Sequence, residues 1–372
     1  MSDIITNISE RIALLNLLAV EGIGSGTAIR LVEHCGSAAA VFDQPESRLL
    51  MVPRVTRAVI VRLKAAHADG DFGKTQLESA DKQGVEIRSY WDANYPVRLR
   101  ELETDAPAVL FIRGNLPAET RRLAVVGTRS ATAYGRRVVR DLILGLRASG
   151  IHIVSGLASG IDGCAHEAAL EVGLPTEAVF GCGVDRIYPP AHTALAHRIL
   201  AAGGALVSEF PLGVGPDRHH FPQRNRIIAG LAAGTLVVEA GDKSGALITA
   251  MLAAEYGREV MAIPGAITNP KTAGNHALIK TGAALVEKPS DILQLLEMPK
   301  PASATDAAPQ VHLELTAPES NLLGVLDATE ALHIDTIAER VGIPVGEALG
   351  QLLLLELKGA IKQLPGKYFV RS

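Results

Sequence analysis

Aromatic residues make up only 4% of this 372-residue chain, and its three cysteines are Cys35, Cys164 and Cys182. An odd, small number of cysteines without metal-ligand spacing argues against a disulfide framework and against a cysteine-based metal site. The pattern is typical of buried or half-buried thiols in a reducing cytoplasm. Because rings are so few, each aromatic residue in a polar loop becomes a candidate for a binding role.

The chain also has little net charge and no long apolar segment. Its formal net charge is −4, so a polyanion would have to be bound by a local basic patch and not by a global field. No apolar run approaches the ~20 residues that span a bilayer, and no basic stretch followed by an apolar core marks a signal peptide. We therefore expect a cytoplasmic protein without membrane contact.

Residues 1–84 are helical in pattern and are predicted to form an N-terminal domain. Segment 20–28 places glycines between two short amphipathic stretches, and this turn resembles a helix-hairpin-helix (SAM-like) unit, with a weaker second copy at 51–58. The backbone N–H groups of such a turn can face a phosphate. A helical packing domain without a ligand fits the same pattern.

Residues 85–297 are predicted to form the core of the protein. After a connecting strand and turns, short apolar runs alternate with stretches of helical length. Strands are predicted at 123–126, 151–154, 177–180, 205–207, 235–239, 259–263 and 283–286. Helices are predicted between them, at 134–148, 160–171, 191–202, 224–233, 246–256, 275–281 and 290–297. This alternation predicts an α/β fold with a Rossmann-like, doubly wound, mostly parallel sheet.

Two further segments follow the core. Residues 298–318 are rich in Pro, Ala, Ser and Thr and have the composition of a linker. Residues 319–372 show the helix, turn, helix and hairpin order of a winged-helix domain. Five basic and seven acidic residues give this tail a charge of −2, and its second helix has no Arg or Lys before Lys358. A contact with protein is therefore favoured over reading of a DNA duplex.

Glycine-containing loops follow five of the core strands, and the ligand crevice of an open parallel sheet lies at those carboxyl ends. Together the loops supply fifteen candidate ligand-binding residues. These are Gly127, Thr128, Arg129, Ser155, Gly156, Gly160, Asp162, Arg218, Phe221, Arg224, Asn225, Arg226, Lys243, Ser244 and Gly245. Convergence of several such loops on one edge predicts a binding site, although any one loop alone would be a weak signal.

Segment 221–231, FPQRNRIIAGL, is the most informative stretch. It places Arg224, Asn225 and Arg226 at the expected start of an apolar helix, where unpaired backbone N–H groups and the helix dipole favour an anion. Arginine adds planar donors suited to phosphate, and Phe221 adds a ring on which a base can stack. A phosphate site beside a ring points to nucleic acid. The alternative for Phe221 is a core anchor beneath the loop.

Other chemistries find little support. Arg129 replaces the second glycine of the G-x-G-x-x-G dinucleotide motif, which argues against NAD binding, although Arg129 could also pair with a loop carboxylate such as Asp162. Asp162 and His166 share a helix face and could form an acid/base pair, but a helix-start aspartate and a hydrogen-bonded histidine fit equally. The histidines lack companion ligands, and neither a P-loop nor a nucleophile elbow is present. We expect no catalytic residue, metal or cofactor.

Seven motifs follow one another along the core. They are GTRSATAYG at 127–135, SGLASGIDGCAH at 155–166, GCGVDRIYP at 181–189, SEFPLG at 208–213, FPQRNRIIAGL at 221–231, VVEAGDKSGALITA at 237–250 and GREVMAIPG at 257–265. In residues and in order they resemble the motifs of the DNA-processing protein A family (DprA/Smf). The resemblance is strong from about residue 90 to 283 and weaker in both flanking regions. The chain departs from the family pattern at Ala246, where serine is common, and at His276, where asparagine is frequent.

The resemblance implies a non-catalytic, homodimeric protein that binds single-stranded DNA and delivers the strand to the recombinase RecA during natural transformation. Carried over by motif, Arg129 would hold a phosphate, and Arg218 and Phe221 would supply a cation and a stacking ring. Arg224, Asn225 and Arg226 would shape the adjacent helix start. Ser244 and Gly245 would offer donors at another helix start.

A second hypothesis comes from a different functional class. Similar Rossmann-like cores occur in nucleoside-monophosphate hydrolases that resemble the lysine decarboxylase-like group, which carries a Pro-Gly-Gly-x-Gly-Thr loop. The corresponding region here, EAGDKSG at 239–245, lacks that glycine pattern. A nucleotide-binding or nucleotide-hydrolysing enzyme is therefore the alternative, and binding of single-stranded DNA is the favoured function.

Overall fold

The structure is a computed structural model that describes residues 7–298, 316–327, 331–357 and 360–371. These residues form two compact units, one from residue 7 to 298 and one from residue 316 to 371. Most of the predicted linker, residues 299–315, lies outside the described residues. Helix α15 of the second unit (Ala317–Gly324) begins two residues before the predicted domain boundary at 319.

The N-terminal region consists of six helices. They are α1 (Ile8–Ala19), α2 (Ser25–Cys35), α3 (Ala38–Asp43), α4 (Glu46–Leu49), α5 (Arg57–Ala65) and α6 (Asp71–Lys82). Polar side chains begin three of them: Asn7, Ser37 and Thr56 each accept a hydrogen bond from a first-turn N–H group of α1, α3 and α5. Helix α2 follows the glycine-rich turn at 20–24, so the predicted helix–turn–helix order is present.

A nine-stranded sheet forms the centre of the first unit. Its strands are β1 (Glu86–Ser89), β2 (Val109–Gly114), β3 (Arg122–Val126), β4 (His152–Ser155), β5 (Thr176–Val179), β6 (Ala205–Ser208), β7 (Gly234–Val237), β8 (Glu259–Ala262) and β9 (Ala284–Leu285). The spatial order is β1-β2-β6-β5-β4-β3-β7-β8-β9. Strands β3 to β9 are parallel, whereas β2 pairs antiparallel with both β1 and β6. The predicted Rossmann-like, mostly parallel sheet is confirmed.

Helices connect the strands and cover both faces of the sheet. They are α7 (Val97–Arg100), α8 (Ala133–Gly145), α9 (Ile161–Glu171), α10 (Thr193–Ala201), α11 (His220–Leu231), α12 (Gly245–Glu255), α13 (Ala273–Lys280) and α14 (Pro289–Leu295). Successive β3 residues enter different hydrophobic clusters: Leu123 and Val125 join one, Ala124 and Val126 the other. Because neighbouring side chains of a strand point to opposite faces, the sheet is buried on both sides.

One predicted helix boundary was wrong. Helix α11 begins at His220 and not at residue 224, so Arg224, Asn225 and Arg226 lie in its second turn and not at its mouth. Pro222 falls in the first turn, where the missing N–H group would have had no partner within the helix. The N–H groups that lack a helical partner therefore belong to residues around Phe221.

The N-terminal helices and the sheet share one hydrophobic cluster, which runs from Leu14 and Leu31 through Phe111 to Val207. A pair of hydrogen bonds reinforces this contact. The Gln76 side-chain amide of α6 donates to the Leu212 carbonyl over 3.3 Å, and its oxygen accepts from the Leu212 N–H over 2.9 Å. The helical region and the core therefore pack as one body, although secondary structure changes at the predicted boundary near residue 85.

The second unit contains α15, β10 (Leu332–His333), α16 (Ile334–Val341), α17 (Val345–Leu357), β11 (Ile361–Leu364) and β12 (Tyr368–Arg371). Its three strands lie in the order β10-β12-β11. Leu322, Ile337, Leu352 and Phe369 form its buried centre, with one residue from each helix and one from the hairpin. This arrangement is the predicted winged helix.

Candidate nucleic-acid interface

A cavity of about 950 Å³ opens at the carboxyl ends of the core strands. Strand β3 pairs with β4 on one side and with β7 on the other. From β3 the strand order continues through β4, β5 and β6 in one direction and through β7, β8 and β9 in the other. Such a topological switch point is where open α/β sheets bind ligands. Eleven of the fifteen predicted site residues line the cavity: Gly127, Thr128, Arg129, Asp162, Arg218, Phe221, Arg224, Asn225, Lys243, Ser244 and Gly245.

An aromatic and cationic stack stands on one wall of this cavity. The Arg129 guanidinium carbon lies 5.4 Å from the centre of the Phe221 ring, within cation–π distance. The Tyr188 ring lies 5.7 Å from the Phe221 ring at an angle of 41°, and Tyr188 is 42% exposed. Phe221 is only half-buried, which favours a surface ring over a core anchor. A flat ligand could stack on this group.

The other cavity walls carry cations and helix-start donors. Arg218 and Lys243 are exposed, and the Arg218 Nε donates to the Nε2 of the neighbouring His219 over 3.1 Å. The Ser244 hydroxyl accepts from the Ala246 N–H over 3.3 Å and begins α12. The Asn225 amide donates to the Gly245 carbonyl over 3.4 Å, which ties α11 to the start of α12. Positive charge beside the start of a helix suits an anion.

Arg224 has a different environment from the one its sequence position suggested. It is 4% exposed, and its Nη1 donates to the carbonyl of Gly156 at 2.8 Å and to that of Val179. A Cβ at Gly156 would lie 2.2 Å from this nitrogen, so the glycine leaves room for the guanidinium. Arg224 therefore holds the loops after β4 and β5 together, instead of standing free as a cation for phosphate.

Asp162 lies beside Arg224 as a buried counter-charge. Its carboxylate accepts from the Gly156 N–H over 3.1 Å. Burial raises the pKa of Asp162, while the Arg224 charge opposes that rise; burial likewise lowers the pKa of Arg224 to about 10. Loss of hydration thus outweighs the mutual attraction in both shifts, although Arg224 still carries its charge at neutral pH.

Ser155 and Gly160 support the cavity from beneath without lining it. The Ser155 hydroxyl donates to the Val125 carbonyl over 2.6 Å. Gly160 has φ +83°, and a Cβ there would lie 2.2 Å from the Thr128 carbonyl oxygen, so glycine is required where α9 approaches the first loop. The buried Glu239 adds a brace, because its carboxylate accepts from the Thr132 N–H over 2.9 Å and its carbonyl from the Thr128 N–H over 2.7 Å.

Arg226 does not reach this cavity. It points to the opposite side of α11, donates to the Asp105 carbonyl over 2.5 Å and pairs with the buried Glu209 carboxylate. Sequence reasoning grouped Arg226 with Asn225 because the two are adjacent, whereas successive residues of a helix lie about 100° apart.

Several cavity residues were missed by sequence reasoning. Tyr188 follows β5 in a Gly-containing loop, and the scarcity of aromatic residues could have identified it. Lys271 donates to the Ser130 carbonyl over 2.5 Å and so joins two loops that are 141 residues apart. The residues next to Lys271 in the sequence give no indication of this contact. Asp217 and Asp242 add negative charge to the rim.

His166 is not placed for acid–base chemistry with Asp162. The imidazole is fully buried, its Nδ1 lies 2.7 Å from the Thr176 hydroxyl oxygen, and it does not line the cavity. Burial lowers the pKa of His166 to about 3, so the ring is neutral. Within the described ranges, no three His, Cys, Asp or Glu side chains are grouped as metal ligands. The described helices also include none that is long and apolar enough to cross a bilayer.

Residues 86–297 match the model of DNA recombination-mediator protein A, and residues 300–367 match that of the DprA winged helix domain. Protein Smf of Escherichia coli (strain K12) is 47% identical over 281 residues, which cover 74% of this chain and 74% of that protein. DNA processing protein DprA of Streptococcus pneumoniae (strain ATCC BAA-255 / R6) is 45% identical over 210 residues, covering 56% and 73%.

The solved structures that are similar to this one include two DNA processing A proteins. The X-ray structure of DNA processing protein A from Streptococcus pneumoniae has a TM-score of 0.65 and 34% identity, covering 78% of this chain and 98% of that chain. DNA processing protein A from Helicobacter pylori, described for its single-stranded DNA binding mode, has a TM-score of 0.51 and 26% identity, covering 57% and 95%. Because the first family model spans more than half of the sequence, the chain belongs to the DNA recombination-mediator protein A family.

Proposed function

We propose that this chain binds single-stranded DNA without sequence preference in the cavity at the carboxyl ends of β3 and β7. The observation that carries the proposal is the stack of Arg129, Phe221 and Tyr188 beside exposed cations and helix-start donors. Stacking on an aromatic ring accepts any base, and cations on the rim neutralise phosphates. The Helicobacter pylori relative, described as binding single-stranded DNA, supports the same reading.

Equilibrium binding tests this proposal. Labelled oligonucleotides of one length, as single strands of different sequence and as duplex, are titrated with the full chain. Single strands should bind more tightly than duplex and nearly equally to one another. The logarithm of affinity should fall with the logarithm of salt with a slope of about −2 to −4, for roughly three to five phosphate contacts. Equal or tighter duplex binding would contradict the proposal.

The proposal also covers what the protein does with the strand that it binds. We infer a non-catalytic role in which the protein, as a homodimer, delivers the strand to RecA in natural transformation and recombination. The recombination-mediator family and the exposure of Met251 and Ile267, at 68% and 92%, support partner contacts. Sedimentation of the full chain tests the dimer, and RecA filament formation on strands coated with single-strand-binding protein tests loading. Hydrolysis of nucleoside monophosphates would instead favour the enzymatic alternative.

Tyr188 provides a first testable prediction. Tyr188→Ala should weaken single-strand affinity by about 1 kcal/mol, at the low end for a base–aromatic contact, because Phe221 remains. Tyr188→Phe keeps the ring and should bind like the wild type. Fluorescence anisotropy with a labelled oligonucleotide measures both. If the alanine variant binds normally, Tyr188 only packs against Phe221.

Removal of residues 299–372 provides a second prediction. The 1–298 fragment should bind single strands within about tenfold of the full chain, or roughly 1.4 kcal/mol, at matched ionic strength. Helix α17 contains neither Arg nor Lys, and it exposes Leu353 and Leu354 at 55% and 51%, which suits protein contact more than phosphate. If the fragment remains folded but loses more than tenfold in single-strand affinity, residues 299–372 are part of the DNA site.

A further inference from the structure

A second cavity, of about 450 Å³, lies where the N-terminal hairpin turn meets the core of the first unit. Its ten lining residues are Gly22, Gly24, Ser25, Gly26, Thr27, Arg30, Arg54, Thr104, Asp105 and Arg226. All are glycine, small hydroxyl residues, arginine or aspartate. Among the described residues, no apolar or aromatic side chain lines this cavity, so they offer nothing on which a base could stack. Their chemistry suits a compact, hydrated anion.

Three arginines from distant parts of the chain converge on this cavity. Arg226 forms an ion pair with Glu209, and the Asp105 carboxylate accepts a hydrogen bond from the Tyr256 hydroxyl over 3.3 Å. Arg30 and Arg54, in contrast, make neither an ion pair nor a side-chain hydrogen bond with any described residue. Two guanidinium groups that line the cavity thus remain available for a ligand.

Backbone donors line the same cavity as these arginines. Helix α2 starts at Ser25 after Gly24, and no side chain caps it. The N–H groups of Ser25, Gly26 and Thr27 have no hydrogen-bond partner among the described residues, and all three residues line the cavity. A Cβ at Gly26 would lie 2.3 Å from the Thr104 carbonyl oxygen, so this glycine lets the helix start pack against the core.

Helix α11 joins the two cavities. It contributes Phe221 and Asn225 to the first and Arg226 to the second. We infer that the second cavity binds a backbone phosphate of the same single strand, outside the stretch held at Phe221. This inference rests on the proposed DNA binding and adds a separate contact to it. A free phosphate has the same charge and donors, so the test must separate the two sources.

The test uses the full chain with two oligothymidine probes, a hexanucleotide and a thirty-nucleotide strand. Arg30→Gln with Arg54→Gln should weaken the long strand roughly tenfold, the scale of a charge-assisted hydrogen bond. The salt slope should become less negative by about 1.4 for two lost contacts. The hexanucleotide, held at Phe221, should bind as before. Arg147→Gln with Arg198→Gln is the matched control, since both residues are exposed and line neither cavity.

A glycine variant probes the backbone donors without removing an arginine. Gly24 has φ −91° and ψ 175°, and a Cβ there would meet nothing within 4 Å, so a larger residue fits. Gly24→Asp would place a capping carboxylate on the first-turn N–H groups, which preserves the helix while repelling a phosphate. Gly24→Asn caps without charge. The long strand should bind most weakly to the aspartate variant, and both variants should melt no lower than the wild type.

The outcomes separate this inference from the proposed function. Wild-type affinity and salt slope for the long strand in folded Arg30/Arg54 variants would overturn the second site, whatever happens at Phe221. Loss of inorganic-phosphate binding in those variants, with the long strand unaffected, would show a free-anion site and also overturn it. Failure of the proposed function appears elsewhere, as wild-type protein that does not bind the hexanucleotide or prefers duplex.

Discussion

Arg224→Met should destabilise the first unit by about 3–5 kcal/mol, the scale for leaving a buried charge without its compensating group. The substitution leaves the Asp162 carboxylate buried without its cation and the carbonyls of Gly156 and Val179 without their donor. The chain has a single tryptophan, Trp91, which lies buried in the first unit. Urea unfolding followed by tryptophan fluorescence therefore reports on that unit alone.

Two further variants serve as controls for the effect of Arg224→Met. Arg218→Met removes an exposed cavity arginine and should change unfolding by less than about 0.5 kcal/mol. Asp162→Asn with Arg224→Met should cost less than the two single changes added together, because the two residues share one buried network. If Arg224→Met unfolds like the wild type but binds DNA weakly, the exposed-cation role suggested by the sequence is correct and the positioning role is wrong.

Simultaneous loss of Arg129 and Phe221 should lower single-strand affinity by about a hundredfold, or ~2.7 kcal/mol. Arg129→Ala and Phe221→Ala should each cost about 1–3 kcal/mol, the scale of a charge-assisted hydrogen bond and of a base–aromatic stack. Because the guanidinium lies over the ring, the double variant should lose less than the sum.

Anisotropy titration of the four proteins completes this cycle, with tryptophan fluorescence as the check on folding. Phe221→Trp should retain most of the affinity, since it keeps a stacking surface. A core phenylalanine would behave differently: alanine would destabilise the unit and tryptophan would strain it. If both single alanine variants bind single strands normally, the strand does not bind at Arg129 and Phe221.

The core fold could be predicted because its sequence signals are local. Runs such as Leu123–Val126 are apolar throughout and are followed by glycine loops, which mark buried parallel strands. The start of α11 could not be predicted in the same way, because proline is compatible both with a loop and with the first turn of a helix, so Pro222 does not mark the boundary. The position of β1 and β2 at the sheet edge also could not be predicted from local signals. It depends on the antiparallel pairing of β2 with β6, which lies about a hundred residues later in the chain.

The site was predictable in location and less so in detail. Parallel strand order alone brings the loops after β3 and β7 together, so Gly127 and Ser244 were placed correctly on one cavity. The identity of a side chain does not indicate its burial: Arg224 and Arg226 have equal charge and lie two residues apart, yet each is held by partners distant in sequence. Tyr188 was missed because its contact with Phe221 crosses between loops.

The bond between Gln76 and Leu212 has a consequence for how the chain is made. Helix α6 and its neighbours leave the ribosome long before Leu212 does, and translation at ~5–20 residues per second separates the two by roughly ten seconds. During that interval the helical segment has no sheet to cover its apolar face, and β2 lacks its neighbour β6. The N-terminal helices are thus synthesised first, but their packing is completed only after β6 and the loop that carries Leu212 have been made.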